Sequence, residues 1–430
     1  MNQQQLKNRK FARLPLALSI ATIATIATIM AGCGAKNGSE ARQTAEHNLK
    51  VAAASIQNGG SGVSQIAGIA IPPLAPLGEV PVPADNKMTQ EKVELGKILF
   101  FDPRLGGDAS TACSTCHAPD NGWGWNEDIS RGYPGTVHWR NSQTIVNSAY
   151  YNKLFWAGAA PSLEMQAPSA AKGGVAGNGE DDIMEARLAL IPEYRKRFNQ
   201  VFGDQWPLIE NAWKAIAAFE RTMVQKDTPL DKYLAGDSRA LTEQQIRGKA
   251  VFEGKGHCIA CHNGALASDE NYYNIGVPYA RRWDDDGLAQ ITFRFEYYAK
   301  GGSEDNYRHM KDDVGLYFRD KNDWDKGKFR TPSLRYTAYT APYMHNGAFY
   351  SMEEVVDFYD RGGFDEEGRT SDFTKTKSDL IKPLGLSDQE KEDLVAFIAA
   401  FSGEEIQLDI PQSPPYAPLF TRQQLMEATK

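Results

Sequence analysis

Two short runs of this chain hold side chains suited to redox chemistry: Cys113-Ser114-Thr115-Cys116-His117 and Cys258-Ile259-Ala260-Cys261-His262. Two thiols three residues apart with an imidazole directly after them is the spacing that attaches a c-type haem. Both thiols must reach the vinyl groups on one edge of a porphyrin while the next side chain turns under the iron. One copy alone has rivals, a thioredoxin-like pair or half a zinc site. Two copies that together use every cysteine except Cys33 point to two covalent haems.

The elements around the motifs repeat as well. Leu95, Ile98 and Leu99 fall on one face of a helix that runs toward the first motif. Its Gly96-Lys97-Ile98-Leu99-Phe100 is echoed by Gly248-Lys249-Ala250-Val251-Phe252 before the second, where Thr242 and Gln245 form a capping box. Each half closes on a similar helix. Ile216-Ala217-Ala218-Phe219 recurs as Ile398-Ala399-Ala400-Phe401, and Ser387 with Glu390 caps the second of these helices. The chain therefore reads as a mainly α tandem repeat of two cytochrome c-like domains, residues 86–228 and 229–410, with a tail over 411–430. Each half holds one haem and carries long loops between its helices.

A chain of 430 residues with 41% hydrophobic and 24% charged residues can bury a sizeable core, and two or three domains fit its length. A formal net charge of −8 with no dense Lys/Arg run excludes nucleic acid as a partner class. The N-terminus has the pattern of an export signal over residues 1–33: Lys7, Arg9, Lys10 and Arg13 precede an apolar run from Leu14 to Ala31. That run ends in Met30-Ala31-Gly32-Cys33, a lipoprotein-type box that makes Cys33 the lipidated first residue. An uncleaved anchor helix is the alternative. Either way the body is exported to the bacterial periplasm or cell envelope, and the lipid is its membrane contact. Residues 34–85, rich in Ala, Gly, Ser and Pro, read as a flexible tether. Two further stretches, 123–179 and 281–328, exceed what a minimal cytochrome domain needs, and the charges around Asp284-Asp285-Asp286 read as solvated surface.

Residues Val93 to Leu105 before the first motif, Arg140-Asn141, Phe155-Trp156, Ser162-Leu163-Glu164, Lys328 to Arg335 and Thr340 to Gly347 together resemble the bacterial dihaem cytochrome c peroxidase and MauG superfamily. These segments span most of residues 88–403. The resemblance implies that the N-terminal haem reacts with peroxide and the C-terminal haem exchanges electrons. It makes His117 and His262 the proximal iron ligands, places Trp156 between the haems as an electron relay, and assigns one calcium ion to Asn141 with the carbonyls of Thr340 and Pro342. Gln166 matches a distal-pocket glutamine. The catalytic acid that should follow is Glu180, with Glu164 and Glu185 behind it; an exposed acidic loop is the other reading of Glu180.

One departure separates branches of the family. Many of its peroxidases ligate the second iron through a Met fourteen residues after the position of His345, whereas this chain has Tyr359 there, as MauG-type members do. An anionic oxygen donor favours the more oxidised iron. Met352 lies on nearly the same helical face and is the alternative ligand. Where some relatives cap the first haem with a His, this chain has Tyr133, with His138 nearby. Arg330 and Arg335 either pair with haem propionates or face solvent.

The resemblance thus implies an oxidoreductase that takes hydrogen peroxide at the first haem. On Tyr359 it favours the MauG-type branch, which oxidises a Trp or Tyr of a partner protein. The alternatives are a conventional peroxidase fed by a small cytochrome or cupredoxin, and a non-catalytic dihaem electron carrier.

Overall fold

The computed structural model of the chain describes residues 65–66, 69–133, 135–279, 282, 285–310, 312–364 and 373–416. The export signal with Cys33, residues 34–64 of the expected tether, Asp284 and residues 417–430 lie outside them. The chain divides into two units, residues 1–70 and 71–430. The first shows one antiparallel pair, Gln65–Ile66 with Ile69–Ala70; the second holds everything that follows.

The longer helices are α1 (Gln90–Phe100), α2 (Leu163–Ala171), α3 (Asp181–Ala189), α4 (Pro192–Phe202), α5 (Ile209–Glu220), α6 (Glu243–Glu253), α7 (Gly287–Ala299), α8 (Met352–Asp360) and α9 (Asp388–Ala399). The unit is mainly helical, with one two-residue pairing of Tyr272–Tyr273 and Phe329–Arg330. The Thr242 and Ser387 capping boxes form as their sequences require, and further boxes form at Thr228 with Asp231 and at Ser351 with Glu354, the latter at the start of α8.

Each half is built on one helix pair. The closing helix α5 crosses α1, and α9 crosses α6. A glycine sits at each crossing: a Cβ on Gly96 would stand 1.8 Å from the Ala215 carbonyl oxygen, and one on Gly248 1.8 Å from that of Asp393. The close approach lets Leu95, Leu99 and Phe100 pack with Ile216 and Phe219 in one core, and Phe252 pack with Phe397 and Phe401 in the other. Each fully buried side chain of this size contributes about 1.5–3 kcal/mol.

Residues 141–160 and 330–349 repeat each other in backbone conformation with little shared sequence. Asn147 and Tyr336 share a positive φ (62° and 69°), as do Phe155 and Met344 (65° and 75°), and the bridges Leu154–Ala160 and Tyr343–Phe349 correspond. The two segments also bond to each other reciprocally: Asn141 N–H donates to the His345 carbonyl and Arg330 N–H to the Trp156 carbonyl, both at 2.8 Å. A local pseudo-two-fold therefore relates the halves where they meet.

The ends of the unit cross over. Residues 71–85, expected as part of a free tether, are laid against the body: Leu74 and Leu77 are buried, Leu74 in the core of the second half. Their carbonyls accept from Arg335 (Ala75 O, 3.0 Å), Arg221 (Pro81 O, 3.2 Å) and Tyr150 (Gly78 O, 2.9 Å). Proline removes donors but leaves these acceptors, and buried arginines use them. The segment after α9 returns to the first half, where Ile406 and Leu408 pack and the Ile406 carbonyl accepts the Trp123 indole N–H at 3.0 Å.

The described residues of 281–328 are largely helical, contrary to their lack of sequence period. Asp286 caps α7 by accepting the Leu288 N–H. Phe293 and Tyr297 of α7 are buried against Trp139 and its neighbours, while Leu288, Ile291, Phe295 and Tyr298 are exposed. With apolar residues on both faces, no single stripe stands out.

Candidate active site

Both motifs lie in tight turns just after their opening helices, Cys113–Cys116 as one helical turn and Cys258–Ala260 as a 3-10 turn. The four thiols are unpaired. Burial pushes Cys113, Cys258 and Cys261 up to about 12 and Cys116 up to about 11. Among the described residues no group of three or more His, Cys, Asp or Glu side chains gathers that could hold a metal ion, so a thiolate-metal site does not fit. Neutral, buried thiols beside a histidine suit thioether attachment.

The His262 Nδ1 faces the Ala267 carbonyl at 3.2 Å, which orients the ring, and the Pro332 backbone also faces it. His117 has its Nδ1 buried without a close partner, with backbone of Trp123 and Gln143 facing the ring. Burial lowers both imidazole pKa values and keeps the rings neutral, the state that can ligate a metal.

Arg330 supplies a further test of fit. It is 1% exposed and lies over the Tyr151 ring at 3.9 Å. It donates to the carbonyls of Phe155 (3.4 Å) and Thr331 (3.0 Å) and to Gln143 Oε1 (3.3 Å), with no carboxylate partner among the described residues. A buried guanidinium without an anion is costly, so the site fits a group that brings carboxylates. Arg335 differs, and neither arginine faces solvent. It grips Asp231 through two nitrogens at 2.9 and 2.8 Å and donates to the carbonyls of Ala265 and Ala75, so its charge is already matched.

Trp156 stands on the local pseudo-two-fold, where its counterpart is His345. The rings meet edge to face at 6.4 Å. The Trp156 indole N–H donates to the Asn141 carbonyl at 2.8 Å, and His345 stacks on Phe329 at 3.7 Å. Burial lowers His345 to about 3. Asn141 is buried and its Nδ2 donates to the carbonyls of Trp125 (3.1 Å) and Glu127 (2.8 Å), which leaves Oδ1 as an acceptor. Through the Asn141 to His345 bond this loop meets the segment that carries Thr340 and Pro342, where the Ala341–Pro342 peptide is cis.

Tyr359, on α8, lies near the second motif. Burial first, then the Cys261 and Cys258 thiols, raise its hydroxyl pKa, and that hydroxyl has no hydrogen-bonding partner among the described residues. Ionising it therefore requires a nearby cation. Met352, seven residues earlier on nearly the same face of α8, packs against the core that includes Ile259.

On the first side, the loop over Gly173–Glu180 rests on the approach to the first motif: Gly107 N–H donates to the Gly177 carbonyl at 2.7 Å, and Tyr133 N–H to Val175 at 3.1 Å. Gln166 on α2 is half-buried and its amide makes no hydrogen bond within the described residues. Glu180 precedes α3 and is exposed. The two lesser candidates have structural partners. Glu185 accepts from the Trp206 indole and the Ile209 N–H, both at 2.9 Å. For Glu164 burial acts upward, but hydrogen bonds from Arg221 and Asn86 outweigh it and hold the carboxyl low. His138 is half-buried, stacks on Trp139 at 4.1 Å, and its Nδ1 accepts the Arg140 N–H.

Sequence reasoning missed Glu220, the buried end of α5, whose Oε2 has no partner among the described residues. It also missed the buried Arg140–Asp313 pair beside His345, at 2.5 and 2.9 Å. The first was open to detection, because the closing-helix echo ends in Glu220 in one half and Ser402 in the other.

Residues 90–239 match the model of the di-haem cytochrome c peroxidase family. The chain is 56% identical over 355 residues to the cytochrome-c peroxidase IdrP1 of Denitromonas iodatirespirans, covering 82% of this chain and 92% of that protein. It is 31% identical over 337 residues to the methylamine utilization protein MauG of Methylophilus methylotrophus, covering 78% and 89%. Among solved structures, a MauG-like protein associated with microbial copper homeostasis superposes with a TM-score of 0.65 at 31% identity, covering 76% of this chain and 94% of that one.

Proposed function

The chain belongs to the di-haem cytochrome c peroxidase family and is a peroxidase-type oxidoreductase, and on that premise we propose that it reduces hydrogen peroxide with electrons from a small redox protein. Family membership implies two haems. In our reading Cys113, Cys116 and His117 hold the one that meets peroxide, and Cys258, Cys261 and His262 the one that receives electrons. A bound haem would supply an iron that exchanges electrons and, in the first half, reacts with peroxide.

The chain's own groups do the rest. The Ala267 carbonyl orients His262, Arg330 meets propionate charge, and Arg335 holds the Pro-rich segment and Asp231 in place. Trp156 carries electrons between the halves; its N–H is held by a peptide carbonyl, which cannot accept the proton. Gln166 orients the peroxide, and Glu180 moves a proton from the near to the far oxygen. Tyr359 would ligate the second iron, with Met352 as the other candidate on that helix. Asn141 Oδ1 and the carbonyls of Thr340 and Pro342 hold a calcium ion that ties the junction together. The export signal and Cys33 place the enzyme on a periplasmic lipid anchor.

The observation that carries this reading is Trp156 at the junction of two halves, each with its own haem motif. A second reading, oxidation of a Trp or Tyr in a partner protein, keeps the same site and is favoured by Tyr359. Sequence alone put that reading first; the name of the 56% identical relative supports the reverse order. Steady-state assays decide. Peroxide-dependent oxidation of a reduced small cytochrome or cupredoxin is expected, and its loss on Cys113→Ala. Turnover with neither donor would contradict the first reading, and covalent oxidation of a co-purified protein would install the second.

A further inference from the structure

Glu220 ends α5 and is 4% exposed. Its Oε2 has no hydrogen-bonding partner among the described residues. The adjacent cation is turned elsewhere: the Arg221 guanidinium pairs with both Glu164 oxygens, at 2.6 and 2.9 Å, and its Nε donates to the Pro81 carbonyl at 3.2 Å, so its charge offsets only part of the burial of Glu220. Lys92 and Lys214 stand around that ion pair, and Lys92 donates to Asn86 and to the Lys87 carbonyl. In the other direction the Glu220 carboxyl lies close enough to Cys113 for its charge to act on the thiol. Cys113 itself packs in the same core as Phe219 and Phe100. A carboxyl buried this way without a partner is costly to ionise, and burial pushes it up to about 8.

The two halves provide an internal comparison. Ile216-Ala217-Ala218-Phe219-Glu220 in the first matches Ile398-Ala399-Ala400-Phe401-Ser402 in the second. Ser402 is buried and its hydroxyl accepts the Ala338 N–H at 3.1 Å. A short hydroxyl thus completes the fold at this position. The half that keeps a carboxyl there is the one whose haem motif we assign to peroxide.

We propose that Glu220 takes up one proton from solvent when the haem held by Cys113, Cys116 and His117 gains one electron, and returns it when that electron leaves. The proposal rests on the haem assignment made above. The electron comes from the donor protein, the only bond formed is the carboxyl O–H, and the charge of the buried site is unchanged. An added electron makes a carboxylate in the same low-dielectric region harder to keep, and a proton removes the conflict. Glu164 stays ionised on Arg221 and does not share the proton.

The test is the reduction potential of the first haem in the full-length holoprotein, from about pH 5 to about pH 9, where one group of raised pKa changes charge. The wild type is expected to lose about 59 mV per tenfold fall in proton concentration over part of that range. Glu220→Gln is expected to be flat there, with the second haem unchanged in both. Should Glu220→Gln load haem poorly, Glu220→Ser, the residue of the other half, replaces it. In the wild type, reduced-minus-oxidised infrared spectra should gain a protonated-carboxyl band. An unchanged slope in the variants, or no such band, overturns the proposal. A two-haem, peroxide-reactive protein with that result overturns this proposal alone, whereas a chain with one haem overturns the function itself.

Discussion

Trp156 and its hydrogen bond make the sharpest residue-level prediction. Trp156→Phe keeps an aromatic ring but removes the indole and its bond to Asn141, a loss of about 0.5–1.5 kcal/mol in stability. Haem content should stay unchanged, while the second haem's oxidation after peroxide mixing should slow by at least about tenfold, since roughly 1.4 kcal/mol of added barrier suffices. Stopped-flow absorbance checks it, and an unchanged rate would remove Trp156 from the route. Glu220 makes a second prediction, in stability. Its folded pKa, about 8, lies above that of an unfolded carboxylate. The native state therefore binds more protons between the two values, and stability is lost as pH rises from about 4.5 toward 8. Relative to wild type, Glu220→Gln should gain on the order of a few kcal/mol across that window, read from denaturant midpoints at several pH values. His138 and His345, both lowered to about 3 by burial, act oppositely: they favour the fold above about pH 6.5, and that contribution fades as pH falls toward 3.

Among the elements, the repeated opening and closing helices were the most legible, though not that they cross. The echo of Gly96 and Gly248 in otherwise similar runs marks where two backbones meet, and the structure puts a carbonyl oxygen 1.8 Å from either missing Cβ. Gly248→Ala should cost at least about 1–3 kcal/mol, the usual penalty for overpacking. Gly287→Ala, at the open start of α7, should be neutral or stabilising by up to about 1 kcal/mol. Thermal or denaturant unfolding of the two variants separates them, and equal effects would contradict the crossing geometry. Capping boxes were equally legible, because they are local. The 141–160 and 330–349 repeat was not: its halves share a backbone path and only two short identities, Ala149-Tyr150 against Ala338-Tyr339 and Gly158-Ala159 against Gly347-Ala348. The α7 insertion was hidden for another reason, an apolar residue on either face.

For the whole molecule, the two-haem plan was readable from ten residues, but not how the ends tie the halves together. A segment rich in Ala, Gly, Ser and Pro reads as a tether because it offers little apolar surface to bury; nothing local shows that distant arginines will take its carbonyls. Arg335 links Ala75, Asp231 and Ala265, so Asp231→Asn should cost about 3–5 kcal/mol by leaving a buried guanidinium short of its anion. Denaturant midpoints measure this, and a loss below about 1 kcal/mol, the size of an exposed pair, would contradict the buried tie. The distal acid was the least legible feature, since Glu180 is exposed and the sequence around it follows no marked pattern.

The central claim is that two haems are held in sister halves and that one of them meets peroxide. Intact mass of the purified protein, followed by absorbance after mixing with one equivalent of peroxide, tests it most directly. Two haems per chain should be found, with a spectral change at the His117 haem within the mixing time and its loss on His117→Ala. A single haem, or two that stay unchanged by peroxide, would contradict the account.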